Sequence, residues 1–132
     1  MSAPRTHEAL DPDLCGRPTS ITDGRAVVEL LTTEAMRADA TGLVHGGFVF
    51  GLADHAAMLA VNEPTVVLGS AQVKFTAPVV AGQRVTATAE VVEYVGSKHV
   101  VEARAECDGK QVFSGRFVCF VPKQHVLEAG AR

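Results

Sequence analysis

The chain has 132 residues and a formal net charge of −3, with 12 Lys and Arg against 15 Asp and Glu. Without a Lys/Arg run this balance excludes a generally basic nucleic-acid surface, and the absence of Trp disfavours a base-stacking platform. The length suits one domain that buries a core without staples, and Cys15, Cys107 and Cys119 fit neither a disulfide framework nor a zinc site.

Residues 1–10 and 126–132 read as loosely held ends, and Pro12, Gly16 and Pro18 punctuate the approach to the first strand. The N-terminus lacks an apolar signal core. Thr19–Thr33 is counted as one strand around Ala26-Val27-Val28-Glu29-Leu30-Leu31, with Asp23-Gly24 as turn residues inside it. An irregular link over Thr33–Thr41 includes a helical turn at Glu34–Arg37. The helix at about Gly46–Val61 is stopped by Asn62 and Pro64. Strands follow at Val66–Thr76, Arg84–Tyr94, Lys98–Cys107 and Gln111–Val121, with turns at Ala81-Gly82, Gly96-Ser97 and Asp108-Gly109. On Arg84–Tyr94 the alternation puts Val85, Ala87, Ala89 and Val91 on one side.

A helix apolar nearly all round must be enclosed, and four consecutive antiparallel strands can curl around it with the first strand joining the same sheet. The expectation is a single α+β domain with a core at about residues 20–122, in which an antiparallel five-stranded sheet wraps a long central helix in the order β-α-β-β-β-β. Such a sheet leaves an open edge, and dimerisation is the simple remedy. The helical run is too short, and holds Asp54 and His55 too centrally, to span a bilayer. The chain thus reads as soluble and cytoplasmic, with no membrane and no nucleic-acid partner.

The chemistry concentrates in Val44–His55. Gly46 and Gly47 leave the first N–H groups of the helix uncovered at the positive end of its dipole, a place for a carboxylate, a phosphate or a developing oxyanion. Asp54 is a carboxylate inside an apolar run, where burial is expected to raise its pKa. His55 lies about 100° around the helix from Asp54 and reads as a core or interface histidine. His45 and His55 have no third ligand at helical spacing, so no metal site is expected. The apolar helix points to an uncharged aryl or alkyl acyl group.

These residues resemble the hotdog fold and, within it, the PaaI-type acyl-CoA thioesterases. The hallmark is His45-Gly46-Gly47 ahead of an apolar helix with Asp54 nine residues after the histidine. The stretch Val73–Gly82 is similar to the family's strand-Pro-x-x-x-Gly segment. The resemblance implies that the Gly47 amide polarises the thioester carbonyl and that Asp54 acts as nucleophile or general base. His45 then shapes the start of the helix. Asp39 stands where many members have Asn, and would add a second negative charge that raises the Asp54 pKa. Coenzyme A belongs to the substrate, and no further cofactor is required.

Other positions have two readings each. Gly46, Phe48 and Ser70 are candidate substrate contacts, while Phe48 also reads as core and Ser70 as a plain sheet residue. Gly96, Ser97 and Lys98, with Arg84, fit the coenzyme A phosphates by charge, and equally fit a solvated turn. A hydratase or dehydratase of the same fold is disfavoured because Asp39 precedes His45 by six residues and Thr41-Gly42 replaces an Asn-Pro pair. A non-catalytic acyl-CoA-binding module is the reading from a different class. Regulators with this fold carry a separate DNA-binding domain, for which this chain has no evident room or charge.

Gly47 and Asp54 are separated by about 10.5 Å of helical rise, too far to serve one carbonyl from one helix. The expectation is a homodimer or a dimer of dimers (a homotetramer), with each site shared between subunits.

Overall fold

The computed structural model describes residues 2–129. A short helix α1 (Pro12–Cys15) leads into β1 (Arg17–Thr22) and β2 (Arg25–Leu31), then the long helix α2 (Gly46–Val61). Four strands follow, β3 (Val67–Phe75), β4 (Arg84–Val95), β5 (Lys98–Cys107) and β6 (Lys110–Phe120), and the chain closes with α3 (Val126–Ala129). They form one antiparallel sheet in the order β1-β2-β4-β5-β6-β3.

The sheet has six strands rather than the expected five. The correction lies in Thr19–Thr33, where Asp23-Gly24 folds the run back on itself so that Ile21 pairs with Ala26 and Thr22 with Arg25. Turn chemistry won over the continuous β-branched pattern. Pro18 is accommodated because β1 is an edge strand, where a missing N–H is tolerated.

Alternation on β4 and β5 decides which face the helix covers. Val85, Ala87 and Ala89 of β4 and Val101, Ala103 and Ala105 of β5 are buried on that face, with Ala53, Ala56, Ala57 and Ala60 of α2 in the same core. Small residues on both surfaces let helix and sheet approach closely. Phe113 and Phe117 of β6 fill the space beside Phe50. Helix α2 is buried at every position from Leu52 to Ala60 except Asp54.

The N-terminal stretch is held in place instead of lying loose. Ser2 N–H donates to the Ile21 carbonyl (2.6 Å) and Thr6 is buried. At the other end α3 forms, while residues 130–132 lie outside the described part of the chain. No helix among the described residues is long and apolar enough to cross a membrane.

Candidate active site

Two backbone connections fix the start of α2. Val44 N–H donates to the Val79 carbonyl (2.8 Å) and His45 N–H to the Met36 carbonyl (2.9 Å). His45 is extended and serves as the N-cap, yet its side chain caps no amide. The ring leans back over the first turn. A Cβ at Gly47 would stand 3.1 Å from its Nε2, and one at Gly46 3.1 Å from Phe75 Cε1. Both glycines are therefore places where neighbouring rings approach the backbone closely. Phe48 meets His45 edge to face at 6.2 Å and packs against the core. Gly46 opens onto an apolar cleft of about 350 Å³ walled by Val49, Phe75, Val79 and Val112.

Two turns further on, Asp54 is surrounded differently. Its Oδ1 is buried with no hydrogen-bond partner. Burial pushes the carboxyl up to about 6, as expected for a charge withdrawn from water without compensation. The carboxyl lies in a second cleft, of about 520 Å³, with Met58, Val66 and Leu68 and, from the chain ends, Thr6, His7 and Leu127. Among the described residues, the cleft that holds Asp54 does not include Gly47, and the cleft beside Gly46 does not include Asp54.

Within one subunit, Asp39 is not among the groups that shift Asp54. Its Oδ1 accepts from the Thr41 amide (2.9 Å) and hydroxyl (2.6 Å) on an exposed turn, and these bonds hold its carboxyl below the usual range. The upward shift at Asp54 comes from burial alone. His55 donates through Nδ1 to the Cys15 carbonyl (2.9 Å), which ties α2 to α1. Cys119, pushed up to about 12 by burial and by the nearby Asp54, is a protonated thiol and a poor nucleophile.

Ser70 stands exposed on edge strand β3, just past a bulge after Leu68, outside both clefts. Gly96, Ser97 and Lys98 form the exposed β4–β5 turn. Lys98 pairs with Phe120, which pairs with Val67 in the wall of the Asp54 cleft. Lys98 is thus at the Asp54 end of the subunit. Arg84 is at the other end of β4 and bonded to Glu29 at 2.8 Å, so the two cations do not share one phosphate site within a chain. Thr6 and His7 carry no signal in the sequence, because a short polar segment has no periodicity to place it.

A family model described as the thioesterase superfamily matches residues 41–114, which include the glycine pair and Asp54. The chain is 50% identical to a solved structure of an uncharacterised Pyrococcus horikoshii protein, with a TM-score of 0.94 over 96% of this chain and 97% of that one. It is 28% identical to the Escherichia coli PaaI protein from the phenylacetic acid degradation operon, with a TM-score of 0.78 over 85% of this chain and 83% of that one. Among curated relatives, an Aquifex aeolicus methylthioribose-1-phosphate isomerase is 46% identical over 86% of this chain, and a Caldanaerobacter subterraneus transcription factor, FapR, is 30% identical over 73% of it. The chain spans a quarter of the first relative's length and about half of the second's, 25% and 48%.

Proposed function

The chain belongs to the thioesterase superfamily and has the hotdog fold, and from that premise we propose that it is an acyl-CoA thioesterase. It would hydrolyse an acyl-CoA to the free acid and coenzyme A at a site shared between two subunits. The observation that carries this reading is Asp54, a half-buried carboxylate with an unpartnered oxygen and a pKa moved to about 6 by burial. A base that titrates near the working pH is effective in general acid–base catalysis.

The thioester carbonyl oxygen is held by the Gly47 N–H at the positive end of α2, a contact worth about 2.7–4 kcal/mol where such donors have been removed. Asp54 of the other subunit takes a proton from water as the water oxygen bonds to the carbonyl carbon. The C–S bond then breaks, the electron pair leaves on sulfur, and the Asp54 carboxyl returns the proton to the thiolate. Direct attack by Asp54, with water opening the resulting anhydride, satisfies the same geometry. Lys98, on the same subunit end as Asp54, would meet the coenzyme A phosphates as a point charge.

A thiol-release screen over aromatic, short, medium and long acyl-CoAs tests this reading, with Asp54→Asn as the control. The expected result is turnover of at least one class by the wild type and none by the variant, which still binds coenzyme A. The similarity to FapR favours a second reading, acyl-CoA binding without hydrolysis. Calorimetric binding of acyl-CoA with no thiol release by the wild type would select it.

A further inference from the structure

The N-terminal segment is fastened across the end of α2 by one side chain. Asn62 Oδ1 accepts from the Arg5 amide (2.8 Å), and its Nδ2 donates to the Ala3 carbonyl (3.1 Å). Thr6, next along, is 6% exposed. His7 then adopts φ 56°, a left-handed conformation uncommon for a residue other than glycine, which persists where the surroundings hold it. His7 Nδ1 and Thr6 Oγ1 are bonded at 2.8 Å, so Nε2 is the ring nitrogen left for another partner. Thr6, His7 and Asp54 wall the same cleft.

A water poised for attack has two hydrogens. Asp54 accepts one, and the second needs an acceptor if the water is to present its lone pair to the carbonyl carbon. We propose that His7 is a further catalytic residue of this site, with Nε2 accepting the second hydrogen of the water that Asp54 deprotonates. This step rests on the thioesterase reading. It requires the tautomer in which Nδ1–H donates to the Thr6 hydroxyl. Burial and the neighbouring His55 hold His7 below the usual histidine value, which keeps the ring a neutral acceptor. The other titratable groups near the cleft are otherwise engaged or protonated. His125 is exposed, with Nδ1 accepting from the Leu127 amide at 3.0 Å, and His55 is bonded to Cys15. The Cys15 and Cys119 thiols are both shifted upward.

Asn tolerates the left-handed backbone, and its amide reaches the position of Nδ1, so His7→Asn keeps the bond to Thr6 and removes only Nε2. Gln reaches the position of Nε2. The expected result is a kcat for His7→Asn lowered about tenfold or more, with KM within about twofold, and partial recovery in His7→Gln. Wild-type turnover with His7→Asn unaffected overturns the assignment of His7 alone. No turnover of any acyl-CoA by the wild type overturns the thioesterase reading and this step with it. The 15N chemical shifts of the His7 ring at neutral pH give an independent check of the tautomer the step requires. Nδ1 should carry the proton and Nε2 should be bare, and the opposite tautomer overturns the proposal.

Discussion

Burial without a hydrogen-bond partner raises the free energy of the Asp54 carboxylate relative to its protonated form, and the pKa moves from 3.8 to about 6. Two consequences are measurable. Because the proposed base works ionised, kcat/KM should fall as the pH drops below about 6, and a profile flat down to about pH 4 would contradict the assignment. The stability effect has the opposite sign from that of a salt-bridged aspartate. The folded protein holds an extra proton between the unfolded and folded pKa values, so stability is full below the unfolded value and is lost as pH rises through about 6. Asp54→Asn should therefore be more stable than the wild type at pH 7.5, on the order of 2 kcal/mol, with the gain vanishing near pH 4. Equal thermal melting of the two at neutral pH would show that the carboxylate is better solvated than its surroundings indicate. The conflict between Asp54 and its apolar run was legible in the sequence. The local partner of Asp39 was not, because only coordinates reveal that Thr41 bonds its Oδ1.

At the level of elements, α2 and strands β3 to β6 follow from patterns with a clear period, and their observed bounds differ little from the expected ones. The β1–β2 hairpin was partly hidden. Its turn residues were visible, but the surrounding β-branched run also suited one long strand. The N-terminal segment was not legible at all, since hydrogen bonds to a distant Asn62 leave no trace in local periodicity. Gly16 shows how tightly this segment is seated. It has φ +88°, and a Cβ there would stand 2.8 Å from both Leu52 Cδ1 and Val28 Cγ1 and 2.9 Å from the Glu29 carbonyl oxygen. Gly16→Ala should destabilise the fold by about 2–3 kcal/mol through overpacking and backbone strain. Chemical denaturation reads this directly. A midpoint unchanged from the wild type would mean that α1 lifts from α2 without penalty.

Across the whole molecule, the helix N-terminus and the Asp54 cleft lie at different places on one subunit, and the sheet ends in an unpaired edge at β3. An open edge nine residues long invites pairing, and partially exposed Phe75 beside Gly46 adds apolar surface at the same end. A two-fold axis that sets one subunit's Gly47 against the other's Asp54 would answer both features. The proposal of a shared site starts from the rise of the helix between Gly47 and Asp54, which the spacing alone gives, whereas the separation of the two clefts required the fold. Mixing two inactive variants after dissociation and reassembly tests this most directly. Asp54→Asn lacks the base, and Gly47→Pro lacks the oxyanion donor at a first-turn position where proline is tolerated. In an equal mixture, dimers combining the two hold one intact site, and about a quarter of wild-type turnover should return. No turnover in verified mixed dimers, or full activity from a demonstrable monomer, would contradict a site shared between subunits.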